Sequence, residues 1–256
     1  MLTNILAISK NTFRETIRDR ILLSAFFVII AIIVFTLFIA SISLEQSTRM
    51  IIDFSVTAIY ALQIFVAIFI GSMLIYKEIE RKTFYLLLPK PISRIEIIIG
   101  KCLGLTLTTI AVTLLSTLVL FAVLFFQSGQ LFFWPIMLSL FLSTLEAILL
   151  ILISILFSGI TSPILASVST IAFFVIGHAE GVFRYIFMTT KIPALEMITK
   201  AVYYTLPNLE KFNVRNEIIH GNTLPLPTLV VVILYGITYA ILLLVITQRA
   251  FKNKDY

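Results

Sequence analysis

Apolar runs long enough to cross a lipid bilayer dominate the sequence and constrain its fold more than any other feature. A helix needs about 20 apolar residues to cross roughly 30 Å of hydrocarbon, and runs of this length recur between residues 21 and 247. The 256 residues are 60% hydrophobic and 12% charged, whereas a soluble domain carries about 25% charged residues. The sequence therefore predicts an all-α integral membrane protein.

Six segments qualify as membrane spans, and the expected fold is a single domain over residues 1–256 with six transmembrane helices. Two of the spans share one long run, 131–177, whose single charge is Glu146. We divide this run at residues 158–163, the only cluster of turn-forming residues inside it. The six expected spans are 21–43, 54–75, 102–126, 133–157, 161–177 and 228–247.

The distribution of basic residues predicts the orientation in the membrane. Six spans place both termini on the same side as the loop at 76–101, and that side holds 13 of the 19 Lys and Arg residues, against 6 on the other side. The positive-inside rule predicts that the termini and this loop are cytoplasmic, in a multi-pass protein of the cell inner (cytoplasmic) membrane. The basic excess then reflects topology, and no water-exposed domain offers the basic face that nucleic-acid binding requires.

The residues before the first span predict an amphipathic helix. Residues 2–20 have apolar positions near helical spacing, and Lys10, Arg14 and Arg18 lie on another face. Such a helix is expected to lie along the inner leaflet before the chain enters the first span. The alternative is a positively charged flank that only sets the orientation.

The loop at 76–101 predicts a cytoplasmic elbow of two helices. Pro89 and Pro91 exclude one continuous helix, and Ser93 and Glu96 form a capping box that starts a new helix leading into the third span. Exposed leucines beside mixed charges favour a docking surface for another protein. The alternative is a solvated loop whose leucines cover the inner leaflet.

Several polar or small residues inside the spans are candidates for function or packing. A charge in the bilayer is costly and is a functional hypothesis by default, so Glu146, with Ser143 on the same helix face, is interpreted as part of a translocation path or gate. The alternative for Glu146 is a protonated side chain hydrogen-bonded between helices. Gln63 is a further candidate for the path, although interhelical packing is the favoured interpretation. Gly100 and Gly104 predict close contact between helices or subunits.

Residues 178–227 are too apolar for a free loop and too interrupted for a span. Amphipathic helices that re-enter the outer leaflet fit this composition. His178 and Glu180 fall short of a metal site because the chain has only 2 histidines and metal sites need more ligands. No pair of nucleophile and base is apparent.

Three motifs resemble segments of one known family. The sequence EIERKTFYLLLPKPISRIEIIIGK at 78–101 resembles the cytoplasmic loop of ABC-2 type transporter permeases. The sequence ISKNTFRETIRDRIL at 8–22 is similar to their N-terminal interface helix, and LPNLEKFNVRNEIIHG at 206–221 resembles a segment of the NosY-like branch. The motifs stand in the family's order between the expected spans.

The resemblance implies the role of a permease half-transporter. In this family the loop between the second and third spans is a coupling helix held in a cleft of a separate cytoplasmic ATPase, and two permease copies, here a homodimer, enclose the pathway. Export is the implied direction, short gate helices precede the last span, and an extracytoplasmic accessory protein is a further expected partner. The residues implied to contact or flank the ATPase are Glu78, Glu80, Arg81, Lys82, Thr83, Arg14 and Arg18.

The chain contains no P-loop, the glycine-rich motif with Lys-Ser/Thr that cradles nucleotide phosphates. ATP and Mg are therefore assigned to the partner ATPase, the chain is not an enzyme by itself, and no catalytic, cofactor-binding or metal residue is assigned. Two other classes stay open. One is an intramembrane enzyme with Glu146 and His178 as its acid–base groups, and the other is a membrane anchor for an ATPase that transports nothing. The sequence does not identify a substrate.

Overall fold

The computed structural model describes residues 2–42, 47–80, 93–128, 133–190, 192–215, 217 and 225–252. Every regular element in these ranges is helical. In chain order the helices are α1 Leu2–Ile17, α2 Arg20–Ile42, α3 Ser47–Phe65, α4 Gly71–Glu80, α5 Arg94–Ser128, α6 Phe133–Ser158, α7 Pro163–His178, α8 Glu180–Thr189, α9 Pro193–Thr205 and α10 Leu226–Lys252. A π-helical turn, Val66–Ile70, joins α3 to α4, and a 3₁₀ turn, Glu210–Phe212, lies between α9 and α10.

Five helical stretches of the described chain are long and apolar enough to cross a membrane, and a sixth candidate is bent. The sixth joins α7 to α8 at an angle of 61°. Helix α7 alone has 16 residues and a length of about 24 Å, which is short of the roughly 30 Å of hydrocarbon. The predicted all-α, multi-pass membrane protein is confirmed. The five candidate spans other than the bent pair are Arg20–Ser41, Ser47–Leu74, Ile95–Gln127, Phe133–Ser158 and Leu226–Phe251.

Helix α6 is the centre of the bundle. It packs against α3, α4, α5, α7 and α10, and 67% of its most apolar stretch is buried inside the protein. The peripheral helices α2 and α10 have only 22% and 17% of theirs buried, and they expose apolar side chains such as Phe27 and Leu234 that suit contact with lipid. A side chain that α6 directs into the bundle is therefore removed from both water and lipid.

The second span is not a continuous α-helix. The π-helical turn Val66–Ile70 interrupts it, and π-helical turns inside helices frequently mark functional sites. Just after this turn, Ser72 contacts two other helices. Ser158 Oγ of α6 donates a hydrogen bond to the Ser72 carbonyl oxygen at 2.6 Å, and the Oγ atoms of Ser72 and Ser167 of α7 lie 2.6 Å apart. The start of α4 is thereby tied to both α6 and α7.

Helix α1 runs beside the first half of α5. Gly100 and Gly104 of α5 leave the room for this contact, since an added side chain at either would meet α1 directly. The apolar residues Leu2 and Leu6 remain 75% and 65% exposed, which leaves an apolar stripe for lipid. The position of α1 along the inner leaflet stays a prediction. The buried side chains of α1 are Ile5, Ser9, Thr12 and Thr16.

Helix α5 begins at Arg94, directly after Ser93, the N-cap residue of the capping box. The Glu96 N–H donates to Ser93 Oγ at 3.4 Å, and the Ser93 N–H donates to Glu96 Oε2 at 3.1 Å. Asn4 Nδ2 of α1 donates to the same carboxylate oxygen at 3.4 Å. One glutamate side chain therefore both caps α5 and links it to the first turn of α1.

We expect Gly104→Ala to weaken the contact between α1 and α5. A Cβ atom at this position would lie 2.6 Å from Thr12 Cβ and 2.7 Å from the Ser9 carbonyl oxygen, so α1 must shift, at a cost of about 1–3 kcal/mol. Thermal unfolding of the purified chain in detergent measures the loss as a lower Tm. Gly181→Ala is the matched control, because nothing lies within 4 Å of its added Cβ. Equal Tm values for the two variants would contradict this packing.

Candidate functional site

The residues assigned to ATPase coupling lie on different elements of the structure. Glu78 and Glu80 belong to the last turn of α4, beyond the apolar part of the second span. Arg14 and Arg18 are exposed where α1 leads into α2, whereas the first turn of α1 lies beside the start of α5. Three more assigned residues fall outside the described chain: Arg81, Lys82 and Thr83.

A buried polar cluster lies further along the bundle, where α3, α6 and α7 meet. Tyr60 Oη donates a hydrogen bond to Glu146 Oε1 at 2.7 Å. His178 Nε2 lies 3.3 Å from Tyr60 Oη and 3.5 Å from Glu146 Oε1. The Glu146 side chain is fully buried and that of His178 is 19% exposed. Oε2 of Glu146 has no hydrogen-bond partner among the described residues, so this carboxyl group is only half satisfied.

Residues 206–215 cover this cluster, and we call them the cap. The Leu209 N–H donates to the Gly177 carbonyl oxygen at 3.0 Å. The side chains of Leu209 and Phe212 are buried and pack against Gly177 and Gly236, where a larger residue would collide with them. The cap is thereby inserted between α7 and α10, in the space that the short α7 leaves open.

Two charged side chains of the cap reach the cluster. The Arg215 guanidinium lies 4.1 Å from the centre of the Tyr60 ring, which is a cation–π contact. Its Nε donates to Asn213 Oδ1 at 3.0 Å, which orients the guanidinium. Glu210 Oε2 lies 3.9 Å from His178 Nε2. The cap therefore adds one positive and one negative group to the site.

Glu180, at the start of α8, holds the cap from its other side. It accepts hydrogen bonds from Tyr203 Oη at 3.1 Å and from Asn208 Nδ2. The hydrogen bond to Glu180 raises the pKa of Tyr203 above its ordinary value, so this hydroxyl keeps its proton at neutral pH. The Asn208 N–H donates to Tyr235 Oη of α10 at 2.7 Å. His178 and Glu180 lie on either side of the bend between α7 and α8 and thus make separate contacts. His178 contacts the buried cluster, whereas Glu180 contacts Tyr203 and the cap.

The other polar candidates in the spans have partners inside the bundle. Gln63 Nε2 donates to the hydroxyls of Thr113 and Thr144 at 3.0 and 3.1 Å, which joins α3 to α5 and α6. Ser143 Oγ donates to the Leu140 carbonyl oxygen within α6 at 3.1 Å. Both Gln63 and Ser143 are buried within a single protomer. In this conformation they contribute to helix packing.

The chemistry of the cluster is that of protons and ion pairs. Two carboxyl groups, an imidazole, a phenol and a guanidinium converge there, and each can exchange or compensate charge with its neighbours. Within the described ranges, no group of three or more His, Cys, Asp or Glu side chains is placed to hold a metal ion. The arrangement is therefore suited to binding a proton and to charge interactions with the cap.

Sequence reasoning singled out Glu146 and His178 but not their neighbours Tyr60, Glu210 and Arg215. Tyr60 precedes Gln63 by three residues and so shares a helix face with it, and this spacing was the signal that could have marked it. Glu210 and Arg215 lie in a segment without helical periodicity. Their contact with the cluster depends on the path of the cap, which no local pattern records.

Nearly the whole chain matches a protein family. The family described as ABC-2 family transporter proteins matches residues 6–256, so the chain belongs to this family. It is a membrane-embedded permease component of ABC transporters, a class that carries out transport and is not itself catalytic. No curated protein matches the chain. The resemblance to ABC-2 type permeases is confirmed, and the assignment to the NosY-like branch remains a resemblance.

We expect Tyr60→Phe to destabilise the protein, because it removes the 2.7 Å hydrogen bond that Tyr60 donates to the buried Glu146 carboxyl. Leaving a buried polar group unpaired costs about 1–3 kcal/mol. Tyr185→Phe, at a tyrosine that is 69% exposed on α8, is the control and should leave the Tm unchanged. Thermal unfolding in detergent compares the two. A Tyr60→Phe variant as stable as the control would show that the Tyr60–Glu146 contact contributes nothing.

Proposed function

We propose that this chain is the permease half of an ATP-driven exporter of the cytoplasmic membrane, with its termini in the cytoplasm. Two copies enclose the translocation path, and cytoplasmic ATPases that bind ATP and Mg drive them through residues 76–101. The observation that carries the proposal is the helix geometry at this loop, together with the family match. The second span continues through α4 to Glu80, and α5 begins at Arg94 and becomes the third span.

The packing of α1 supports a role in the same coupling. The hydrogen bond from Asn4 to Glu96 links the first turn of α1 to the start of α5, and small residues hold the two helices together further along. A displacement of the loop at 76–101 therefore moves α1 and α5 as one unit. Arg14 and Arg18 are exposed at the other end of α1, and we assign them to the rim of the ATPase contact near the membrane surface.

The second span supplies a route from this loop to the buried cluster. Tyr60 and Glu80 belong to one helical stretch that only the π-helical turn Val66–Ile70 interrupts. Ser72, just after the turn, is tied to α6 and α7. A push on α4 thus acts on every helix that carries a member of the cluster. We assign the π-helical turn as the hinge and the cluster with its cap as the outer gate.

Burial supports a gate more than a path lining for the polar residues of the spans. Gln63, Ser143 and Glu146 are all buried inside one protomer, so a substrate could reach them only if the helices parted. A path between two copies of the chain needs no such separation. In this scheme the buried cluster controls the outer end of the path, and the cargo moves along the face between the copies.

We expect the double charge reversal of Glu78 and Glu80 to Lys to abolish binding of the partner ATPase. Charges at a docking surface are complementary to those of the partner, and a reversal brings like charges together at a cost of several kcal/mol. Co-purification of the ATPase with the tagged permease measures the effect. Glu196→Lys is the control, because Glu196 is an exposed residue on α9, far along the chain from the loop. Unchanged co-purification of the double variant would remove the coupling assignment.

Transport itself separates a permease from a membrane anchor. We expect proteoliposomes that contain the permease and its ATPase to show ATP-dependent movement of whichever molecule stimulates ATPase turnover. The double Glu78/Glu80 variant should lose this movement, while the isolated ATPase keeps its basal hydrolysis. If a molecule stimulates ATP hydrolysis by the complex but is not moved across the membrane, the result would favour the membrane anchor.

A further inference from the structure

The hydrogen bonds around His178 indicate which of its two nitrogens carries a proton. Nδ1 lies 3.0 Å from the carbonyl oxygen of Phe174. A carbonyl oxygen only accepts hydrogen bonds, so Nδ1 must be the donor. A neutral histidine has a single N–H group. Nε2 therefore carries no hydrogen unless the ring has taken up a second proton.

The Nε2 atom of His178 faces oxygen atoms from three different elements. They are Tyr60 Oη at 3.3 Å, Glu146 Oε1 at 3.5 Å and Glu210 Oε2 at 3.9 Å. Tyr60 has one hydroxyl proton, and it is directed to Glu146 Oε1 at 2.7 Å. A neutral His178 beside ionised carboxylates would thus point a lone pair at atoms that have no proton to offer. A second proton on the ring turns Nε2 into a donor to these oxygens.

The same contacts are also satisfied if Glu146 takes the additional proton. Glu146 then donates to Tyr60 Oη, and Tyr60 donates to the bare Nε2 of His178, so each proton lies between two of the three groups. Both arrangements contain one proton more than an ionised Glu146 with a neutral His178. An additional proton therefore satisfies all the contacts among the three side chains, whichever of the two groups holds it.

Charge balance favours the same proton content. With the additional proton on His178, the two carboxylates Glu146 and Glu210 are matched by His178 and Arg215. Without it, Arg215 alone faces the two carboxylates, and one negative charge remains uncompensated. An uncompensated charge is costly in a buried site away from water. The second cation of the cap does not supply the balance, because Lys211 Nζ lies over the ring of Tyr235 at 4.2 Å.

We propose that Tyr60, Glu146 and His178 form a proton-binding site that locks the cap. In the closed arrangement this site holds one proton shared between His178 and Glu146, and release of that proton loosens the cap. The proton reaches the site from the end of the bundle where the cap lies, through the exposed part of the His178 side chain. The proposal goes beyond coupling to an ATPase and does not rest on it.

The direction of the pH dependence follows from linkage. The closed cap binds the proton in a site that the open cap lacks, so proton binding stabilises the closed state. Closure is favoured at low pH and weakens as the pH rises through the range in which the site releases its proton. Three backbone amides report closure, because they are hydrogen-bonded in the closed cap: Asn208, Leu209 and Phe212.

Hydrogen exchange of the cap amides tests the proposal on the full chain in lipid nanodiscs. After correction for the intrinsic pH dependence of exchange, protection of residues 206–215 should fall about tenfold between about pH 5.5 and about pH 8.5. In Glu146→Gln an amide nitrogen at the position of Oε1 donates to Tyr60 Oη, and Tyr60 then donates to His178 Nε2, so both contacts are made without an extra proton. This variant should therefore stay protected at both pH values. A pH-independent wild type, or a variant with the wild-type dependence, would overturn the proposal.

A second measurement stands if Glu146→Gln fails to fold. His220→Gln removes the chain's other histidine, and the pH dependence of cap protection should survive in it. Nitrogen NMR of this variant, labelled with ¹⁵N-histidine, then reports His178 alone. The expected spectrum shows the Nδ1–H form at high pH and a ring with both nitrogens protonated, or a hydrogen-bonded Nε2, at low pH. An Nε2–H form at high pH, or loss of the pH dependence in His220→Gln, would contradict the proton site.

Discussion

The hydrocarbon interior offers no water to a polar group, and the rest of the structure depends on this constraint. Each backbone N–H and C=O must be paired within its own segment, so the spans are helices. Each polar side chain must find a protein partner. The central helix α6 meets this demand by directing Glu146 to Tyr60 and Thr144 to Gln63. The peripheral α2 meets it by exposing apolar side chains to lipid.

The short helix α7 is the origin of the candidate site. Because α7 ends at His178 before it can cross the bilayer, the cap fills the remaining space with Leu209 and Phe212. Charged side chains of the cap are then brought against His178 and Tyr60, the two neighbours of Glu146. At the opposite end, the contact between α1 and α5 and the serine contacts after the π-helical turn connect the loop at 76–101 to the same helices. In the proposed scheme, one bundle links the docking loop at 76–101 to the gate.

Much of the fold was predictable because local patterns carry it. The length of the apolar runs marks the candidate spans, and the capping box needs only Ser93 and Glu96, which are three positions apart. The candidate site was predictable only in part. Glu146 is conspicuous as the single charge in its run, but Tyr60 is separated from Glu146 by 86 positions and from His178 by 118. No periodicity connects residues so far apart.

The sequence by itself determined the class of protein, the long apolar runs and the start of α5, because hydropathy and capping act over a few helical turns. Its charge distribution also predicts which side of the membrane each loop occupies. Only the tertiary structure decided which polar groups meet. Packing around α6 brings together Tyr60, Glu146 and His178, and the path of the cap adds Glu210 and Arg215. A buried charge must be compensated by whichever groups the fold places within a few ångströms, and that distance is a property of the folded chain alone.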